Sequence, residues 1–332
     1  MSFPTSTTDV IVGAIESRRR KIADNVTKNN ALLMHLKEKG RILPISGGNT
    51  ILEELSFAEN GNASYYSGYD LLPVAAQDVI SAAQFSFKQA AVPVTISGLE
   101  KLQNSGKEKM LDLMDARLAV AEGTLANIIT QGCYSDGTIF NGKAIVGLDA
   151  AVEATVTASQ TSTYGGISRT GFSFWRNQCT SVTADISTAA KCQAVMNKLW
   201  ISTIRGSDQP DFGVMDNNFW ADYMASLQAI QRFADAKKAN LGFPVIQFMG
   251  ADIYADGGIG GFATTTATTG TFYLLNSKYL KFRPHKDRNF VALSPDRRYA
   301  VNQDAEVAII AFAGNMTCSG AQFQGRVVAT TI

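Results

Sequence analysis

The spacing of apolar positions predicts helices at the start of the chain and again after residue 105. Between residues 8 and 39, apolar residues recur mostly at three- and four-residue intervals, which indicates one or two amphipathic helices. A second helical pattern begins at 105–108, Ser-Gly-Lys-Glu, which fits the capping box of a helix start. Apolar residues then recur to Ile128, and Gly132 is expected to end the helix. At about 1.5 Å per residue, this helix would be roughly 37 Å long.

The segment between these helices has the composition of β-structure. Residues 50–57 and 78–96 are rich in β-branched and aromatic residues and predict the two strands of a long arm. An isolated two-stranded arm is marginally stable in water, so this one is expected to lie on another surface. Between the strands, Tyr65, Tyr66 and Tyr69 stand among the Gly, Asn and Ser residues typical of loops.

The rest of the chain alternates between helical and extended patterns. Residues 133–180 are rich in Gly, Ser and Thr and predict a loop that leads into a strand or turn. Helices are predicted at 187–203 and 217–233, with strands at 212–215, 244–249, 271–275, 307–312 and 326–329. Residues 186–250 therefore predict an α/β unit, and the last third of the chain is predicted to be largely sheet.

Composition excludes several classes of protein. Apolar residues make up 45% of the 332, enough for a sizeable core, and 30 Lys and Arg residues against 29 Asp and Glu give a net charge of +1. This balance excludes the overall positive field of a strongly nucleic-acid-binding protein. Because the chain has no secretory signal and no run of 18 apolar residues, we expect a cytosolic protein with no membrane span. The four cysteines lack zinc-site spacing and are expected to be reduced and buried.

Charge is nevertheless segregated along the chain. Residues 50–87, the acidic segment, contain no Lys or Arg and five acidic residues, Glu53, Glu54, Glu59, Asp70 and Asp78. Residues 278–298, the basic segment, carry Lys278, Lys281, Arg283, Lys286, Arg288, Arg297 and Arg298. This pattern favours self-association, in which the acidic segment of one copy lies on the basic segment of another. Phosphate binding by the basic segment is the alternative.

A third charged cluster lies near the N-terminus. It consists of Arg18, Arg19, Arg20 and Lys21. Three interpretations stay open for it: a solvated helix face, contact with nucleic acid and contact with an acidic neighbour.

Sequence motifs for catalysis or ligand binding are missing or weak. Neither of the two histidines, His35 and His285, lies in a recognisable catalytic motif, and no GxSxG, HExxH or Walker motif is present. Residues 258–263 match a permissive nucleotide-binding pattern, but a Thr-rich loop follows where the phosphate-binding helix should start. Asp252 and Asp256 fall short of a calcium loop and favour a turn. We therefore expect no cofactor, no metal ion and no catalytic residue.

The order of these parts resembles that of tailed-bacteriophage major capsid proteins, whose fold is named after phage Hong Kong 97. The resemblance rests on the arm, the long helix, the α/β region and the C-terminal stretches 272–283, 302–305 and 313–319. It covers nearly the whole chain by order of elements and is strongest in 47–138 and 271–325.

The resemblance implies five parts in a Hong Kong 97-like α+β fold. These are an N-terminal helical arm (1–46), an extended β-hairpin loop (47–97), a peripheral domain with a long spine helix (98–180), an axial domain (181–270) and C-terminal strands that return to the peripheral domain (271–332). It also implies hexamers and pentamers in an icosahedral shell around double-stranded DNA, located in the virion after assembly in the host cytoplasm. The implied partners are a scaffolding protein, a portal and, in some members, a decoration protein. Because only about forty residues precede the arm, the scaffold is expected to be a separate protein or to be absent.

Three functions remain open at this stage: a viral capsid, an encapsulin-like compartment shell, and an α/β enzyme or ligand-binding module in residues 180–260. For a capsid, we expect Arg18, Arg19, Arg20 and Lys21 to contact DNA without sequence preference. Contacts between subunits are expected from one set of residues: Glu53, Glu54, Glu59, Tyr65, Tyr66, Tyr69, Asp70, Lys278, Lys281, Arg283, Lys286 and Arg288. The alternative is that the tyrosines pack the arm on its own subunit.

Overall fold

The computed structural model describes residues 30–103, 107–227, 245–257, 270–293, 298–299 and 305–331. Its helices are α1 (Ala31–Glu38), α2 (Gly98–Gln103), α3 (Lys107–Tyr134), α4 (Ile139–Gly142), α5 (Leu148–Ala151), α6 (Ala189–Thr203) and α7 (Asn217–Ser226), with short 3-10 turns at Thr157–Ser159, Ser173–Trp175 and Ala321–Phe323. Its strands are β1 (Thr50–Ser56), β2 (Ile80–Ser86), β3 (Lys88–Ser97), β4 (Thr163–Tyr164), β5 (Ile167–Ser168), β6 (Gln178–Asp185), β7 (Phe212–Met215), β8 (Val245–Phe248), β9 (Ala251–Ala255), β10 (Gly270–Leu275), β11 (Leu280–Ala292), β12 (Arg298–Tyr299), β13 (Ala305–Cys318) and β14 (Gly325–Thr331).

A four-stranded sheet is built around β13. All ten residues of β3 pair with one edge of β13 in antiparallel register, and β11 and β12 pair with its other edge. Helix α3 packs on this sheet, where Leu125, Ile129 and Phe312 belong to one buried apolar cluster. The first described helix, α1, joins the same cluster through Leu32 and Leu36. These contacts make the sheet and its two helices one layered unit.

A six-stranded mixed sheet forms the second layer, in the order β6-β14-β10-β7-β9-β8. The pairs β6–β14 and β7–β9 are parallel, and the other neighbours are antiparallel. Helices α6 and α7 cover this sheet and enclose a second apolar cluster that includes Met196, Phe219 and Phe272. The start of α7 is fixed by Asp216, whose side chain accepts a hydrogen bond from the Phe219 amide at 2.8 Å.

Helix α3 confirms the predicted long helix and changes its expected end. With 28 residues it is about 42 Å long at the usual rise, and it continues through Gly132 to Tyr134. Gly132 is therefore not the helix stop. A Cβ atom at this position would lie 3.1 Å from the Ile145 side chain, so the glycine allows a close approach. The predicted capping box falls partly at 104–106, which lie outside the described residues.

The strands differ from the sequence prediction in several places, and Asp252, where a turn was expected, lies inside strand β9. The segment 78–96 was predicted as one strand, but it forms two, β2 and β3. Phe87 separates them, and they belong to different sheets. Much of the basic segment forms strand β11, which the sequence analysis did not predict. The C-terminal strands are divided between both sheets, since β10 and β14 lie in the six-stranded one. Of the predicted helix 217–233, the structure describes the part that ends at Ser226. The division into five parts stays a prediction.

Candidate inter-subunit contact surfaces

The first candidate surface is the arm, residues 50–86, which consists of β1, β2 and the connection between them. All seven residues of β1 pair with β2 in antiparallel register, from Thr50 opposite Ser86 to Ser56 opposite Ile80. Side chains alternate along β1 between buried and exposed, so one face of the arm packs on the protein and the other faces solvent. Two paired strands are therefore observed where an arm was predicted, with the second strand ending at Ser86.

The far part of the arm, residues 57–79, is called the arm tip. Tyr65 and Tyr69 are fully exposed, and Tyr66 is 66% exposed. Leu71 and Val74 in the same segment are more than nine-tenths exposed. The tyrosines therefore do not pack the arm on its own subunit in this structure. A contiguous stretch of exposed large apolar side chains is unusual for a soluble monomer and is typical of a surface that another molecule covers.

The near part of the arm, residues 50–56 and 80–86, is called the arm root and is held by a buried carboxylate. Glu53 is 3% exposed and accepts hydrogen bonds from Lys281 Nζ at 2.6 Å, Arg283 Nε at 2.7 Å and Thr317 Oγ1 at 3.0 Å. Burial alone would raise the pKa of Glu53, but the hydrogen bonds and positive charges of Lys281 and Arg283 outweigh it and hold that pKa below its ordinary value. Glu53, Lys281 and Arg283 thus stabilise one another within a single chain.

This geometry corrects part of the predicted charge pairing. Glu53, Lys281 and Arg283 were expected to pair between subunits, whereas the structure pairs them within one chain. The cause is that β11 passes directly beneath β1, which the sequence pattern did not reveal. Lys278 is also paired within the chain, with Asp208 at 2.9 Å.

The other predicted contact residues are located differently. Glu54, Glu59 and Asp70 in the acidic segment and Lys286 and Arg288 in the basic segment are all exposed. Their role between subunits stays a prediction. Arg18, Arg19, Arg20 and Lys21 lie outside the described residues.

A loop at 163–175, the arm seat, supports β2 from below. Strands β4 and β5 form a hairpin whose two turn residues, Gly165 and Gly166, have φ of 57° and 79°, as a type I′ turn requires. The Gly165 carbonyl accepts a hydrogen bond from the Gln84 amide at 2.8 Å. A Cβ atom at Gly165 would lie 3.0 Å from both Ala83 and Phe85, so the absence of a side chain lets β2 approach.

The arm seat is itself fixed by a buried arginine. Arg169 is 1% exposed, and its guanidinium donates five hydrogen bonds, to the carbonyls of Ala150, Ala151 and Trp175 and to the side chains of Glu153 and Ser162. Burial lowers the pKa of Arg169, which the charge of Glu153 opposes. All five donors are satisfied, which is the condition for burying an arginine. Sequence reasoning treated this region as a loop and missed it.

Among the described residues, neither histidine belongs to a catalytic arrangement. His35 is fully buried, stacks on Phe212 at 4.3 Å and lies 3.4 Å from Asp211. Ser277 Oγ donates to Asp211 and not to the imidazole, so these residues are not arranged as a nucleophile and its base. His285 lies 3.9 Å from Asp287 on β11.

The cysteines lie in the protein interior. All four cysteines are buried, and burial raises the pKa of Cys133 to about 12, which disfavours its reactive thiolate form. Among the described residues, no group of His, Cys, Asp and Glu side chains could hold a metal ion. No helix in the described part of the chain is long and apolar enough to cross a bilayer.

Comparison with known proteins identifies the fold. No protein-family model and no curated protein matches the chain. Among solved structures, the capsid of cyanophage A-1(L) matches with a TM-score of 0.65 and 18% identity, over 88% of this chain and 90% of that chain. The capsid of a native GTA particle matches with a TM-score of 0.56 and 10% identity, over 89% and 90%.

An encapsulin has a similar fold as well. The holo-SrpI encapsulin complex from Synechococcus elongatus PCC 7942 matches with a TM-score of 0.51 and 8% identity, over 86% of this chain and 84% of that chain. The chain therefore has a Hong Kong 97-like capsid fold, as the resemblance in its sequence implied. Since all three identities are low, the likeness establishes the fold and leaves function to be argued from the surfaces.

Proposed function

We propose that this chain is a structural major capsid protein of a tailed bacteriophage. It assembles into hexamers and pentamers that form an icosahedral shell around double-stranded DNA in the virion, after assembly in the host cytoplasm. The carrying observation is that a chain with a capsid fold presents an arm whose root is fixed and whose tip exposes Tyr65, Tyr66 and Tyr69.

The arm tip has the chemistry of a contact that forms on assembly. Tyrosine combines a large apolar face with a polar hydroxyl, so it is soluble when exposed and contributes strongly when buried. A stable protein interface buries roughly 1,600 Å² in total, and an extended arm supplies such area with few residues. The exposed Glu54, Glu59 and Asp70 add charge that guides the arm toward a basic surface.

This function needs no catalysis and no cofactor. Its partners are further copies of the chain, a scaffolding protein, a portal and, in some particles, a decoration protein. Packaged DNA would meet Arg18, Arg19, Arg20 and Lys21 through electrostatic contacts that weaken as salt rises and do not depend on base sequence.

The test is assembly of the purified chain with its scaffold, observed by negative-stain electron microscopy. The unmodified chain is expected to form closed shells. Replacing Tyr65, Tyr66 and Tyr69 together with Ser should leave a folded subunit that forms no shells. The matched control, Ser64→Ala with Ser67→Ala in the same segment, should assemble normally. A wild-type chain that stays monomeric would refute the capsid function, and normal shells from the tyrosine variant would refute the role of the tip.

An encapsulin-like compartment shell is the second candidate, because one encapsulin shares the fold over most of both chains. The contents of purified particles separate the two functions. Double-stranded DNA inside particles from infected cells supports the capsid, whereas a co-purifying cargo enzyme and no genome would support the compartment.

A further inference from the structure

Two Asn-Gly pairs occur in the chain, and the structure holds their reacting atoms differently. They are Asn60-Gly61 in the arm tip and Asn141-Gly142 in α4, and all four residues are exposed. An asparagine side chain can close a five-membered ring on the main-chain nitrogen of the next residue. Glycine in that next position favours the reaction, because without a Cβ atom it reaches the backbone conformations that ring closure needs. Each pair is therefore a candidate site of spontaneous chemical change.

In the arm tip, hydrogen bonds hold Asn60 in a conformation that suits this attack. The Asn62 amide donates to Asn60 Oδ1 at 3.0 Å, and the Ala63 amide donates to the Asn60 carbonyl at 3.1 Å. The first bond folds the side chain back over the turn that follows it, toward the Gly61 nitrogen. It also places a donor on the oxygen that becomes negatively charged when this nitrogen adds to the side-chain carbonyl, and such a donor lowers the barrier.

The attacking nitrogen in the arm tip is not engaged elsewhere. Within the part of the chain that the structure describes, the Gly61 amide donates no hydrogen bond. Because Gly61 is exposed, hydroxide can remove its amide proton and water can reach the ring that forms. The arm tip thus supplies an oriented side chain, an accessible nitrogen and solvent at one place.

The second pair is held in the opposite way. Asn141 has a left-handed φ of 57° within α4, and the Gly142 amide donates to the Thr138 carbonyl at 2.9 Å. This hydrogen bond occupies the proton that must leave before the nitrogen can attack. The Gly142 carbonyl is held as well, by a hydrogen bond from Lys88 Nζ at 2.6 Å. Ring closure would break the first bond and disturb the second, so the fold protects here the same dipeptide that it leaves reactive in the arm tip.

We propose that Asn60-Gly61 is a site of spontaneous deamidation and that its products weaken the contacts of the arm tip. The Gly61 nitrogen bonds to Asn60 Cγ, the bond from Cγ to the side-chain nitrogen breaks, and ammonia leaves with the proton that the Gly61 amide gives up. Water then opens the resulting succinimide at either carbonyl, which yields aspartate or isoaspartate at position 60. The only co-reactant is water, and no oxidation or reduction takes place.

Both products change the arm tip. Each adds a negative charge beside Glu59, in a segment that has no Lys or Arg. Isoaspartate also adds a methylene to the main chain, so the turn cannot keep both hydrogen bonds that Asn60 accepts. Asn62 in this turn joins the two sides of the tip, because its Nδ2 donates to the Ala75 carbonyl. The reaction therefore alters the surface used for assembly as a subunit ages, and this consequence rests on the proposed capsid function.

Peptide mass spectrometry of the unassembled subunit, incubated at mildly alkaline pH, tests the site. The peptide with residue 60 should convert at least about tenfold faster than the peptide with residue 141, because only the first pair has an oriented side chain and an amide without a hydrogen bond. Methylation by an isoaspartyl methyltransferase identifies the isoaspartate product. In urea, where the fold is lost, the two pairs should convert at similar rates. Equal rates in the folded subunit, or faster conversion at residue 141, would overturn the inference.

Gly61→Ala supplies the matched control. A Cβ atom at this position would lie 3.5 Å from Gln77 Oε1, an ordinary contact, so the variant can keep the turn. Its methyl group restricts the conformations needed for ring closure, and conversion should be at least about tenfold slower than in the unmodified chain.

The effect on assembly is measured on incubated samples, each compared with a fresh sample of the same protein. The unmodified subunit should lose assembly in proportion to its converted fraction, whereas Gly61→Ala should keep the level of its own fresh sample. Conversion without loss of assembly would overturn the effect on the arm tip and leave the deamidation site standing. A fresh unmodified chain that forms no particles would refute the capsid function, and mass spectrometry would still decide the site.

Discussion

The root and the tip of the arm belong to one acidic segment, yet their environments are opposite. At the root, Glu53 is buried against two cations and Phe85 is buried beside the arm seat. At the tip, Tyr65 and Tyr69 are fully exposed to solvent. The difference indicates that the two parts have different roles. The root fixes the orientation of the arm, and the tip is available to contact another molecule. Substitutions at the root should therefore change the stability of the subunit, whereas substitutions at the tip should change assembly alone.

The largest effect on the subunit is expected from Arg169→Ala in the arm seat. The change removes five buried hydrogen bonds and leaves Glu153 without its cation, which should lower the free energy of unfolding by about 3–5 kcal/mol. Urea unfolding of the unassembled subunit measures it. The control is Lys191→Ala, which breaks an exposed ion pair with Asp185 and should change the free energy of unfolding far less, because solvent screens such pairs. Equal effects of the two variants would show that the arm seat does not depend on its buried arginine.

A smaller effect is expected from Glu53→Gln, and it should depend on pH. We expect a loss of about 2 kcal/mol at pH 7, because Lys281 and Arg283 are partly exposed and solvent screens the unpaired charges. The pKa of Glu53 is lowered by folding, so the stabilisation is complete above about pH 4.3, the ordinary pKa of glutamate, and is lost as pH falls through the lower folded value.

The measurement is urea unfolding of wild type and Glu53→Gln at several pH values from neutral to acid. The difference between the two proteins should shrink toward acid pH. If the difference in the free energy of unfolding did not change with pH, the charge of Glu53 would contribute nothing to stability. Comparing the two proteins removes the contributions of other carboxylates with lowered pKa, such as Glu153.

The smallest effect on the subunit is expected at the tip. Replacing Tyr65, Tyr66 and Tyr69 with Ser should change the free energy of unfolding by no more than about 0.5 kcal/mol, because none of the three is buried. The same urea experiment checks this value. A loss of several kcal/mol would show that the tip packs on its own subunit in solution, and it would remove the contrast between root and tip.

Local patterns predicted much of this fold. The strand composition of 50–57, the helical period after 105 and the β-type runs after 270 all correspond to observed elements. The basic segment was not predicted as a strand because its dense charges obscure the alternation of buried Leu280 and Phe282 with the less buried Lys281 and Arg283.

The contacts that fix the arm could not be predicted in the same way. Glu53 and Lys281 lie 228 positions apart, and no local period relates them. From sequence alone, each acidic residue could pair with a cation in its own chain or in a neighbouring copy. Only the path of β11 shows that Glu53 pairs within its own chain. Arg169 gave no signal because its partners are mostly backbone carbonyls, which every sequence supplies.

The continuity of β2 and β3 gives the arm a mechanical character. Only Phe87 separates the two strands, so tension along the arm passes directly into β3. All ten residues of β3 pair with β13, and hydrogen bonds in an antiparallel ladder run perpendicular to the strands. A pull along β3 therefore loads the whole ladder in shear, with its bonds sharing the force instead of opening one after another. Strand β3 thus anchors the arm along its full length, and under load the arm tip should release a partner before β3 leaves the sheet.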